Sequence, residues 1–150
     1  MNSTLNNFFG QQWLQLVLRY LIGFIFLYAA VEKIAQPEEF ARAIMNYKIL
    51  PLFSVNIAAI IFPWIELLAG LGLIARVQTR ANALLIAAML VIFSIAIAIA
   101  LVRGLDISCG CFGTASASKV GLGRLFEDIA MLVSTLPLLL AKHDLTSATL

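Results

Sequence analysis

Cys109 and Cys111 flank Gly110 in the segment Leu-Asp-Ile-Ser-Cys-Gly-Cys-Phe-Gly-Thr, residues 105–114, and are the only two cysteines in the chain. In an extended backbone, residues two apart point to the same side, and the glycine between them permits the dihedrals of a tight ring. A disulfide closing so short a loop is strained and easily reduced, and it contributes little as a staple. Three readings of the pair stay open: inert small apolar side chains in a loop, metal ligands, or a redox dithiol. Against a metal, a structural zinc site takes four ligands, and the only histidine, His143, falls at the opposite membrane face in the topology derived below. For a dithiol, Arg103, Lys119 and Arg124 lie nearby in sequence, and positive charge favours the thiolate that performs exchange.

Other ionisable residues stand within apolar runs, where they are costly and point to function. Glu66 lies roughly 16 Å along a helix begun at Val55, near mid-membrane. Pro63, three residues earlier, removes one backbone hydrogen bond and frees a carbonyl. Arg19 enters from the other face to a similar depth, so an Arg19–Glu66 ion pair is expected, either as structural glue or in proton or quinone handling. Arg124, Glu127 and Asp128 share the i, i+3, i+4 spacing of one helix face. They read as a self-satisfied salt-bridge cluster, with a carboxylate acting as proton acceptor for the dithiol as the sharper alternative.

The scaffold that must position these groups is a membrane one. Hydrophobic residues make up 62% of the 150 and charged residues 12%, with a mean hydropathy of +0.99; a soluble domain is about half apolar and a quarter charged. A net charge of +2 without any basic block argues against nucleic acid as a partner. Four spans are expected, at about 13–34, 55–75, 81–102 and 122–141, with a cysteine loop at 103–121. Pro37 closes the first span, and residues 38–48 repeat apolar positions at helical spacing, as a short amphipathic helix on the membrane surface would. The expected fold is all-α: one membrane domain, residues 1–150, forming an antiparallel four-helix bundle with that short helix between spans 1 and 2. No basic n-region precedes the first span, so it is expected to remain rather than be cleaved.

Four spans place both termini on one membrane face and the cysteine loop on the other. Lys and Arg near the span ends favour cytoplasmic cysteines, whereas stable dithiol oxidation belongs to an oxidising compartment. The reading taken here puts the loop outside, in the periplasm.

In order along the chain, Arg19-Tyr-Leu-Ile-Gly, Glu32-Lys33 before Pro37, Tyr47 to Pro51, Pro63-Trp-Ile-Glu66 with Gly70 and Gly72, and Arg103-Gly104 leading to Cys109-Gly-Cys-Phe-Gly113 resemble the DoxX-like membrane proteins. Within them, the chain is similar to the methylamine-utilisation MauE group. The resemblance implies a multi-pass protein of the bacterial inner membrane linked to disulfide processing, with Cys109 and Cys111 as the exchanging pair and Glu66 as a membrane-embedded partner. It also implies a periplasmic thiol protein or redox carrier as client and quinone as a conceivable electron acceptor, although no second cysteine pair is present to relay electrons. The chain would then be a thiol-disulfide oxidoreductase or a component of one. The competing expectation is a non-catalytic accessory subunit that packs its glycine-bearing faces against a larger membrane complex.

Overall fold

The computed structural model describes residues 12–105, 107 and 121–140. These residues form five helices and no strand: α1 (Gln12–Ala35), α2 (Pro37–Asn46), α3 (Leu52–Ile74), α4 (Thr79–Val102) and α5 (Leu122–Leu140). Among the described residues, α1, α3 and α4 are long and apolar enough to cross a membrane, since 23 or 24 residues at about 1.5 Å each exceed a hydrocarbon core of about 30 Å. The chain is therefore a membrane protein, helical throughout its described elements. Helix α5, of 19 residues, carries Arg124, Glu127 and Asp128 and is less apolar.

Local chemistry sets the helix ends. Pro37 opens α2 at a position where its missing N–H is not needed, and Glu38 and Glu39 suit the positive end of the helix dipole. Pro51 stands immediately before α3, which begins at Leu52, three residues earlier than the apolar run alone suggests. Helix α4 closes on Gly104, whose φ of 66° lets the Leu105 amide donate back to the Ala100 carbonyl at 3.0 Å and the Gly104 amide to Leu101 at 3.1 Å. This is the left-handed glycine cap in which the orphan carbonyls of the last turn are satisfied. Helix α3 ends in the same geometry with Arg76 in the left-handed position, at φ 62°, and Val77 N–H donating to Gly72 O at 3.0 Å.

The main packing pairs are α1 with α3 and α4 with α5. Buried residues of α1 (Arg19, Ile22, Gly23, Phe26, Ala29, Ala30 and Lys33) recur every three or four positions and so form one stripe. Where that stripe meets α3, a Cβ on Gly70 would stand 3.0 Å from the Gly23 carbonyl and 3.2 Å from the Leu27 amide. The two backbones thus approach as closely as glycine allows, the packing that small residues provide in membranes. Ile22, Phe26, Ala69, Leu73, Ala83, Ile86, Leu90 and Leu138 make the core around this crossing.

Helix α2 is the expected short amphipathic helix between the first two spans. Its polar residues Glu38, Glu39 and Arg42 are exposed, but its apolar Phe40 and Ala43 are buried in the protein, with α3 as the principal neighbour. Phe40 is used as packing rather than as a membrane anchor.

Candidate functional site

Among the described residues, Lys33 and Glu66 are almost wholly buried charges, 0% and 2% exposed. Lys33 Nζ donates to Glu66 Oε1 at 2.7 Å and to Oε2 at 2.9 Å, so both carboxylate oxygens are engaged. The ammonium also lies 5.1 Å from the Phe40 ring centroid and 5.3 Å from that of Phe93, within the range at which a ring quadrupole attracts a cation. An isolated charge in an apolar interior is prohibitively costly; here each charge is compensated by the other, with two aromatic rings beside the ammonium.

This pairing corrects the expected Arg19–Glu66 bridge. Glu66 lies four residues from Gly70, roughly 6 Å toward the α2 end of the molecule, whereas Arg19 lies four residues from Gly23, roughly 6 Å the other way. Because α1 and α3 run in opposite senses and Cβ bonds tilt toward each helix N-terminus, Glu66 leans away from Arg19 and toward Lys33. Lys33, ten residues beyond Gly23, leans back to meet it. Arg19 is 8% exposed, with its guanidinium 4.9 Å from the Tyr20 ring, and its Nε and Nη2 find no acceptor among the described residues.

The expected cluster on α5 also divides. Arg124 and Glu127 pair at 2.7 Å in partly exposed positions. Asp128, one residue on, is only 1% exposed and accepts a hydrogen bond from Ser94 Oγ of α4 at 3.2 Å. It lies near enough to Lys33 to be influenced by its charge. A single step of about 100° around the helix separates the surface carboxylate from the interior one. Helices α1, α3, α4 and α5 therefore contribute Lys33, Glu66, Ser94 and Asp128 to the polar interior, and α2 contributes the Phe40 ring.

Lys33, Ser94 and Phe93 were not among the residues expected to matter. Lys33 reads as the charge that closes the first span, yet it follows Arg19 by 14 residues, two heptads, which places it on the same stripe. Ser94, one of two polar side chains in the interior of a long apolar run together with Asn82, was a fainter signal.

Cys109 and Cys111 lie outside the described residues, but the flanks of their segment do not. Leu105 and Ile107 on one side, and Leu125 on the other, pack against a single cluster of Tyr47, Ile97 and Ala100. Phe93 joins that same cluster, and its ring stands beside the Lys33 ammonium. Phe40 and Phe93 also line an apolar cavity of about 320 Å³ bounded by α2, α3 and α4. The glycines expected to face a larger complex are used within the chain: Gly70 against α1, and Gly72 against the side chain of Asn82.

Fold and site together define a multi-pass helical membrane protein with an ion pair sealed in its interior. A family model described as methylamine utilisation protein MauE matches residues 11–141, and the chain belongs to that family. The methylamine utilisation protein MauE of Paracoccus denitrificans is 33% identical over 96 residues, covering 63% of this chain and 52% of that protein. The MauE protein of Methylophilus methylotrophus is 32% identical over 112 residues, 73% of this chain and 59% of that one. For Methylorubrum extorquens the identity is 33% over 93 residues, 61% and 50% of the two chains. Aligned regions thus span between half and three fifths of these relatives' own length. No solved structure matches the chain.

Proposed function

We propose that this chain is a thiol-disulfide exchange protein of the bacterial inner membrane that serves methylamine utilisation, the process for which its relatives are named. Cys109 and Cys111 are the exchanging pair, in a periplasmic loop, and the client is a periplasmic thiol protein or redox carrier. In the oxidising direction, a client thiolate attacks one sulfur of the Cys109–Cys111 disulfide and displaces the other as thiolate. A second client thiolate then resolves the mixed disulfide, leaving the client oxidised and two thiols here. The disulfide of a carrier protein restores the pair by the same exchange in reverse.

The observation that carries this reading is the shared anchorage of the cysteine segment. Both of its flanks rest on the Tyr47–Ile97–Ala100 cluster, which Phe93 links to the buried Lys33–Glu66 pair. Glu66 and Asp128 are the membrane-embedded carboxylates available to hold protons during exchange. Glu66 holds the Lys33 ammonium, and Asp128 accepts from Ser94. Arg124 stands at the start of α5, paired with Glu127, and in this reading its charge favours the thiolate form of the pair.

In this reading α5 is the fourth span of an antiparallel bundle within one membrane domain. Its support is the packing of α5 on α4 and α1, the inward placement of Asp128 and the mutual pairing of Arg124 with Glu127. A quinone acceptor finds less support. The cavity surface is almost wholly carbon among the described residues, and no step is routed through quinone.

Trapping tests the proposal. With Cys109→Ala or Cys111→Ala, a mixed disulfide with a client should be recovered from native membranes after acid quenching and alkylation. Absence of any adduct at every redox poise would shift the assignment to the accessory-subunit reading. Labelling of Cys109 by a membrane-impermeant maleimide in spheroplasts is expected, and labelling only after lysis would reverse the orientation.

A further inference from the structure

Thiol exchange leaves the cavity between α2, α3 and α4 without a use. Phe40, Phe62, Phe93, Tyr47, Leu50 and Ala96 are among the residues that line it. Ile92, Ile95 and Ile99, which also line it, are exposed on α4, so the rim faces the bilayer hydrocarbon. At about 320 Å³ it has room for roughly ten groups of water size. A carbon-lined space of this kind stays dry and takes hydrocarbon. It is too small for a helix, whose diameter with side chains is about 10–12 Å.

One end of the cavity is cationic. The turn after α2 contributes Tyr47, Ile49 and Leu50 to the lining, and between them stands the exposed Lys48, at φ 51°. Arg103, exposed at the end of α4, holds this turn by donating from Nη1 to the Tyr47 and Lys48 carbonyls, each at 3.4 Å. Two cations thus stand where an apolar slot meets the end of a membrane-spanning helix, the level at which phospholipid phosphates lie. The buried Lys33 does not add to this charge, because Glu66 already compensates it.

We propose that the cavity is a binding site for one acyl chain of an anionic phospholipid, whose phosphate is held by Lys48 and Arg103. The inference is independent of the thiol chemistry. It explains why the cavity persists in a chain that elsewhere packs helix backbones to glycine contact: the chain of a lipid completes the packing between α2 and α4. It also gives Arg103 two tasks, fixing the turn and meeting the headgroup.

Native mass spectrometry of the full chain in detergent, titrated with phosphatidylglycerol or phosphatidylcholine of the same acyl chains, tests this directly. The expected result is a single phosphatidylglycerol adduct, bound about tenfold or more tightly than phosphatidylcholine, as two nearby cations predict. Ala96→Trp, which fills the slot, should abolish the adduct while circular dichroism and gel filtration remain unchanged. Lys48→Gln is exposed and cannot fail through loss of packing; it should lower the preference for phosphatidylglycerol while retaining chain binding. Equal binding of the two lipids, an adduct unaffected by Ala96→Trp in folded protein, or displacement of the lipid by stoichiometric ubiquinone would each overturn the proposal. Mixed-disulfide trapping is unaffected by these outcomes, so failure here is distinguishable from failure of the exchange reading.

Discussion

The Lys33–Glu66 and Arg124–Glu127 bridges both have an N–O distance of 2.7 Å, yet their surroundings are opposite. The first joins α1 to α3, with both partners sealed from solvent and two rings beside the ammonium. The second joins residues three apart on one helix, with Glu127 58% exposed. Distance therefore says little about energetic weight. A partly exposed pair gains little because solvent and salt screen it and two long side chains must be ordered to form it. In a buried pair, each charge is tolerable only while the other is present.

The largest effect should come from breaking the buried pair on one side. Lys33→Met leaves Glu66 uncompensated and is expected to lower stability by about 3–5 kcal/mol, read from denaturant unfolding in detergent. Lys33→Met combined with Glu66→Leu should recover most of that loss, because no lone charge remains. If the single substitution proves as mild as one at Arg124, burial is not what separates the bridges.

Gly70→Val comes next and isolates packing from charge. A Cβ there meets backbone atoms of Gly23 and Leu27, which cannot swing aside as a side chain can. Overpacking of this kind costs about 1–3 kcal/mol, and the α1–α3 register that unites Lys33 with Glu66 should loosen. Disulfide crosslinking rates between cysteines introduced on the two helices provide the check.

Ser94→Ala removes the described donor to Asp128 and should cost about 1–3 kcal/mol, the penalty of an unsatisfied buried acceptor. Asp128→Asn in the same background should restore part of it by lowering the charge to be satisfied. The smallest effect is expected for Arg124→Gln, below about 1 kcal/mol and reduced further by added salt. Salt titration sharpens the contrast, since the stability difference due to Lys33→Met should change little over the same range.

Much of the secondary structure was legible because its determinants are local. Pro37, Pro51 and Gly104 mark helix boundaries through a missing N–H or a left-handed φ, and apolar runs of more than 20 residues imply membrane helices. The site was only partly legible. Glu66 stood out as a carboxylate in an apolar run, and Arg19 looked like its partner because depth was judged from each helix separately. Asp128 and Glu127 looked alike because spacing alone does not say which side of α5 meets α4. Helix α2 was legible as an amphipathic element, but its pattern reports an apolar face without naming α3 as what covers Phe40 and Ala43.

By itself, then, the sequence determined that α1, α3 and α4 are membrane-length helices, where they stop, and that Arg19 and Lys33 share one stripe of α1. Those properties depend on residue type, chain length and a period of 3.6. Only the tertiary structure decided which of the two cations meets Glu66. That choice depends on the axial register of α1 against α3, set by the approach of Gly23 to Gly70, and on the tilt of side chains toward each helix N-terminus. Both are relations between segments about 30 residues or more apart in the chain, and neither has a local signature in either helix.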